Sequence, residues 1–246
     1  MTDRAVQDEV IRYLADANVR AHAARVAPVS AGEAAKAAQF ARFLARRYYR
    51  DRLARSSRYS HRLRTQTGRV AEEVVEGTEF DGFLAECVMG SLESARRVGE
   101  MARAHLRAAP APGPWWAELL EYESSYFLQA ATSERAASTS LPARGVSAVC
   151  RRFAWALPEV LSRLRAGKSI SDHLRREATL LFSRTHAGRI FVVEVEAAVE
   201  LIFHATDGAC TLDEIAAAAK VSVEQARRTL ELLARIGAVV MPPGRS

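Results

Sequence analysis

The chain has 246 residues, 49% of them hydrophobic, and a net charge of +6. That length suits one large or two modest domains. No apolar run approaches the roughly 20 residues that span a bilayer, and the charged start, MTDRAVQDEVIRYLADANVR, does not read as a secretory signal.

Residues 3–27 read as a helix, with Val6, Val10, Ile11 and Leu14 on one stripe and Pro28 ending it. Ser30 and Glu33 suit the cap of a second helix, which runs through FARFLARRYYRDRLARSSRYSHRLR with Phe40, Phe43, Leu44 and Tyr48 as its apolar side. A third helix is predicted from about Phe80 to Ala108, carrying Phe83, Leu84, Cys87, Val88, Leu92 and Val98. After PAPGP, the run WWAELLEYESSYFLQA reads as an amphipathic helix. Residues 132–142 have the composition of a linker.

The second half changes style. Val146–Ala156 is rich in β-formers and reads as a strand. Pro158 suits the first turn of a short helix closed by Gly167. ATLLFSR and RIFVVEV, separated by THAG, read as a hairpin. Three helices follow. EAAVELIFHA stops at Asp207-Gly208; the next opens at Thr211 with Glu214 completing a capping box; the last opens at Ser222, with Gln225 in the same role, and ends at Gly237. Val223, Ala226, Leu230 and Leu233 are its expected buried side, and AVVM returns as a strand. The expected fold is therefore mainly α: a helical bundle domain over 1–140, then a winged-helix-like α/β domain with a small antiparallel sheet over 141–246.

Chemistry-bearing motifs are scarce. Cys87, Cys150 and Cys210 stand apart, and the spacing fits reduced thiols in a cytoplasm. No CxxC, HxxxH or HExxH occurs, so a metal site needs ligands distant in sequence. GxSxG, Walker and GxGxxG patterns are absent, and the chain is expected to be no enzyme and to hold no cofactor. His204, on an apolar helix, reads as a core residue. Glu118, Glu121 and Glu123 read as a solvated face.

Charge is unevenly placed. From His186 to Met241 there are five cationic residues against eight acids, a net of −3. A helix-turn-helix that docks on phosphates gains affinity by neutralising them, so this acidic one is a poor DNA reader, although Gln225 and Arg228 leave that alternative open. Between Arg42 and Arg69 lie ten arginines against Asp51 alone. That run is either an anion-binding face, with Arg46, Arg47 and Arg50 touching a partner, or a solvated face paired with Glu72, Glu73 and Glu76. Trp115 and Trp116 are either core or an aromatic anchor for a partner.

GRIFVVEVEAAVELIFHATDGACTLDEIAAAAKVSVEQARRTLELLARIGAVV resembles the winged-helix peptide-recognition element of ribosomal-peptide biosynthesis, whose prototype is the small chaperone of pyrroloquinoline quinone assembly. The likeness covers about 60 residues: a strand, an apolar helix ending in DG, TLDEIA, and a long helix ending IGAVV. RRFAWALPEVLSRLRAG and WWAELLEYESSYFLQA are similar to segments of the partner proteins of multinuclear non-heme iron oxidative enzymes, of the methanobactin and thiaglutamate pathway type. The resemblance implies a non-catalytic subunit that binds an iron-dependent barrel enzyme as a heterodimer and presents a precursor peptide to it. The expected mode is addition of a peptide strand to a sheet edge. It points to Arg189, Ile190, Phe191, Val192 and Val193, with Arg227, Leu230 and Glu231, as the peptide site. The competing reading is a winged-helix transcription regulator with a helical sensor domain.

Overall fold

The computed structural model describes residues 31–84, 86–133 and 139–242, with side chains from Gln39 onward. The predicted helix over 3–27 and the Ser30–Glu33 cap lie outside the described residues. The chain is mainly helical, with a small antiparallel sheet following an N-terminal helical region. It divides into two compact units: residues up to Pro110 with Ala131–Ser133, and Ala111–Ala130 with the chain beyond Ser133. The expected boundary at residue 140 differs from this division, because the WWAELLEYESSYFLQA helix groups with the C-terminal unit. No helix among the described residues is long and apolar enough to cross a membrane.

In the first unit, α1 (Ala31–Ser56) is the long arginine-rich helix. Its buried stripe is Ala41, Ala45, Tyr49 and Leu53, a run of four-residue steps. This corrects the expected Phe40, Phe43, Leu44 and Tyr48 face: Phe43 is 55% exposed, and two alanines hold the core positions. Small residues let neighbouring elements approach that face, so bulk alone misplaced the stripe by one position. The short helices α2 (Arg58–Arg62) and α3 (Arg64–Thr67) follow, then a 3-10 turn over Ala71–Glu76 that packs against α1.

The single helix expected over 80–108 is two, α4 (Thr78–Phe83) and α5 (Leu92–Arg107). Gly90 closes the break, just ahead of the Ser91 cap. Its φ of +83° is left-handed, its carbonyl accepts from Ser133 N at 2.8 Å, and an added Cβ would lie 2.0 Å from Ser133 Oγ. Ser91 then caps α5 by accepting from Ser94 N at 3.1 Å. Tyr49, Phe80 and Phe83 meet edge to face in the core.

In the second unit, α6 (Trp116–Ala131) precedes a two-residue strand β1 (Ala143–Arg144) and β2 (Val149–Phe153). Pro158 sits in the first turn of α7 (Leu157–Arg165), and Gly167 beyond it has φ +64°. The predicted hairpin forms as β3 (Ala178–Arg184) and β4 (Ile190–Glu194), and the antiparallel sheet order is β2-β3-β4. Central β3 is buried on both faces, because Leu180 and Phe182 point one way and Leu181 and Ser183 the other. Tyr122 of α6 meets Phe182 edge to face at 5.3 Å, while Leu181 belongs to the core built with the last three helices.

Those helices are α8 (Ala197–Ala205), α9 (Leu212–Ala219) and α10 (Val223–Arg235). Thr211 and Glu214 form the expected reciprocal cap. Ser222 accepts from Gln225 N at 3.2 Å. On α10, Ala226, Leu230 and Leu233 are buried as expected, whereas Val223 at the first turn is exposed. Lys220 ends α9 in the left-handed region, a conformation a non-glycine residue adopts only at some cost. Beyond α10, Ala238 N returns to Leu233 O around left-handed Gly237. The following strand, β5 (Val239–Val240), does not extend a wing: it pairs antiparallel with β1, Val240 opposite Ala143.

Candidate functional site

β4 ends the three-stranded sheet, with β3 on one side. Thr185 N donates to Arg189 O and Val195 N to Thr179 O, both at 2.9 Å. Given the register Leu181 to Val193 and Ser183 to Phe191, these bonds fix which residues pair inward. In an antiparallel ladder alternate residues exchange hydrogen bonds with the neighbour, so the backbone groups of Ile190, Val192 and Glu194 point to the outer edge. Ile190, Phe191, Val192 and Val193 are each half-buried, which is intermediate between core and solvent for the whole run. Arg189 lies over the Phe191 ring, 4.8 Å from its centroid.

The other expected peptide-site residues lie on α10. Arg227 and Glu231 are exposed; Leu230 is fully buried in the core, against which Val193 also packs. Leu230 is therefore a core residue of this unit. Arg228 is held by Glu224 one turn earlier at 2.9 Å, so the helix-turn-helix keeps one of its arginines internally paired.

Of the expected partner residues, Trp115 and Trp116 are buried, 6% and 3% exposed, and so act as core side chains in this chain. Arg46 donates to Asp81 at 2.5 Å and to Val75 O at 3.2 Å, and Arg50 pairs with Glu76. Arg42 and Arg47 make no ion pair among the described residues. With Phe43 they line an open groove of about 750 Å³ on α1. Glu72 and Glu73 engage His61 and His105, at 3.2 and 2.8 Å, instead of arginines.

The glutamates of α6 are not the solvated face expected. Glu118 accepts from Ala154 N and Trp155 N, both at 3.0 Å, Glu121 pairs with Arg151, and Glu123 is 2% exposed. A carboxylate can cap the free backbone donors at the end of β2, which sequence spacing does not reveal.

Sequence reasoning missed one constellation. Cys150 on β2 and Glu200 and His204 on α8 bring their ligand-type atoms within 4.8 Å of one another. Glu200 and His204 are one turn apart on one helix face, the only local signal. His204 is a correction: its ring is 51% exposed, not core, with Nε2 3.8 Å from Glu200 Oε1. Burial pushes the Cys150 thiol up to about 11, with the Glu200 charge adding to it. Arg152 donates to both oxygens of Glu200 at 2.8–3.1 Å. Beyond α8, Asp207 accepts from Ala209 N and Cys210 N, and Glu214 from Thr211 N, which holds both carboxyls below the usual range.

No family model matches this chain, and no curated protein matches it.

Proposed function

We propose that the chain is a non-catalytic subunit that takes up a precursor (leader) peptide as an added strand on β4 and presents it to a multinuclear iron oxidative enzyme. The enzyme partner supplies the chemistry that remodels a cysteine of the peptide, and the heterodimer works in the cytoplasm. The observation that carries the reading is the open edge of β4, with outward backbone groups at Ile190, Val192 and Glu194, immediately ahead of the α8–α10 triad. Backbone hydrogen bonds along such an edge give affinity, and alternating side-chain positions give specificity. Arg227 on α10 is exposed and suits an acidic leader residue.

Two experiments test this. Co-expression with the products of neighbouring genes, followed by affinity purification, should return an iron-loaded barrel enzyme that modifies a short peptide only when this chain is present. Val192→Pro then probes the edge itself. Proline removes an outward N–H and spares the β3 ladder, so peptide affinity should fall at least tenfold while the fold persists. A chain that elutes alone and shifts a promoter fragment at moderate salt would replace this reading with the DNA-binding one.

A further inference from the structure

We propose that Cys150, Glu200 and His204 form a zinc-binding site with one open coordination position. The inference does not depend on peptide capture. Three chemically distinct donors converge from two elements that are about 50 residues apart in sequence, and they do so within 4.8 Å. Tetrahedral zinc takes sulfur at about 2.3 Å and nitrogen or oxygen at about 2.0–2.2 Å, so the donors need close inward by only about an ångström. A thiolate, an imidazole and a carboxylate together favour zinc over magnesium or calcium, which take oxygen ligands.

The surroundings suit a cation. Cys150 and Glu200 are each 7% exposed, and a buried carboxylate requires a positive partner. Arg152 supplies that charge from a side chain that is 74% exposed, and a bound zinc ion would take over its role at Glu200. Glu200 Oε1 accepts from Arg152 Nε at 2.8 Å and also lies 3.8 Å from His204 Nε2. The exposed His204 ring gives the ion a way in from solvent. On binding, the Cys150 S–H bond breaks, a sulfur–zinc bond forms, and the proton leaves to water. Three protein ligands leave the fourth position to water or an incoming thiolate.

The test uses the full chain stripped of metal with a chelator. Zinc is added in competition with a chromophoric chelator, and cobalt serves as a spectroscopic stand-in. The expected result is one tightly held zinc per chain and, with cobalt, an intense near-ultraviolet thiolate-to-metal band with tetrahedral visible absorption. His204→Ala, at an exposed position, should leave the circular dichroism unchanged and weaken zinc binding at least tenfold. Cys150→Ser should remove the thiolate band, and Cys210→Ser should change neither. Absence of stoichiometric zinc, a cobalt complex without the thiolate band, or binding insensitive to His204→Ala would each overturn the proposal.

Discussion

The arginine face of α1 and the α8–α10 end of the second unit manage charge in opposite ways. On α1, Arg46 and Arg50 reach acids 35 and 26 residues further along. At the other end, Thr211 meets Glu214, Ser222 meets Gln225, and Glu224 meets Arg228, all within one turn. Partners close in sequence form with the helix that carries them. Distant partners form only when separate elements have packed, so they depend on the tertiary structure being in place. Elsewhere in the second unit long-range pairs recur: Arg152 and Glu200 are 48 residues apart, and Glu118 reaches Ala154 N across 36.

The comparison predicts that changes at long-range contacts cost most. Gly237→Ala should be the most damaging, by about 4 kcal/mol, since strain at a positive φ adds to a backbone collision. The added Cβ would stand 2.2 Å from Arg184 O, where φ is already +76°. Denaturant titration would measure it, and a loss near that of an ordinary surface change would break the comparison. Leu53→Ala, on the buried stripe of α1, should cost about 3 kcal/mol by leaving a cavity. Phe43→Ala, 55% exposed ten residues earlier, should be nearly neutral by the same measurement.

Local contacts should cost less. Thr211→Ala removes the α9 cap and should lower stability by about 1 kcal/mol. Acid should act on the same region. Asp207 and Glu214 have folded-state values held below the usual carboxylate range by backbone N–H donors. Their stabilisation is therefore complete above that range and fades as pH falls through their depressed values, below about pH 4. A melting temperature that stays level down to pH 3 would count against it. Smallest of all, Arg47→Ala should change stability by no more than about 0.5 kcal/mol, since no ion pair holds Arg47 among the described residues. Its effect belongs in partner affinity, read as a salt-sensitive loss.

Local signals were legible from the start. The capping box at Thr211, Pro158 in its first turn, Gly237 beyond α10 and the β3–β4 hairpin all sit where periodicity and turn chemistry place them. Each depends on residues a few positions apart, so the sequence itself determined them, along with the mainly helical class. The β4 run was legible as a strand, but its place at the edge was not, because strand order depends on which partners find it.

Tertiary structure alone decided the rest. It chose Ala41 and Ala45 over Phe43 for the core of α1, because a helix face is selected by what packs against it. It broke the 80–108 helix where Gly90 meets Ser133, and sent β5 to β1. It turned Glu118 inward to cap β2, and brought Cys150 beside Glu200 and His204. In the last four of these the deciding partner lies more than thirty residues away. Local propensity carries no record of such a meeting, which is made when elements pack and buried polar groups must be satisfied.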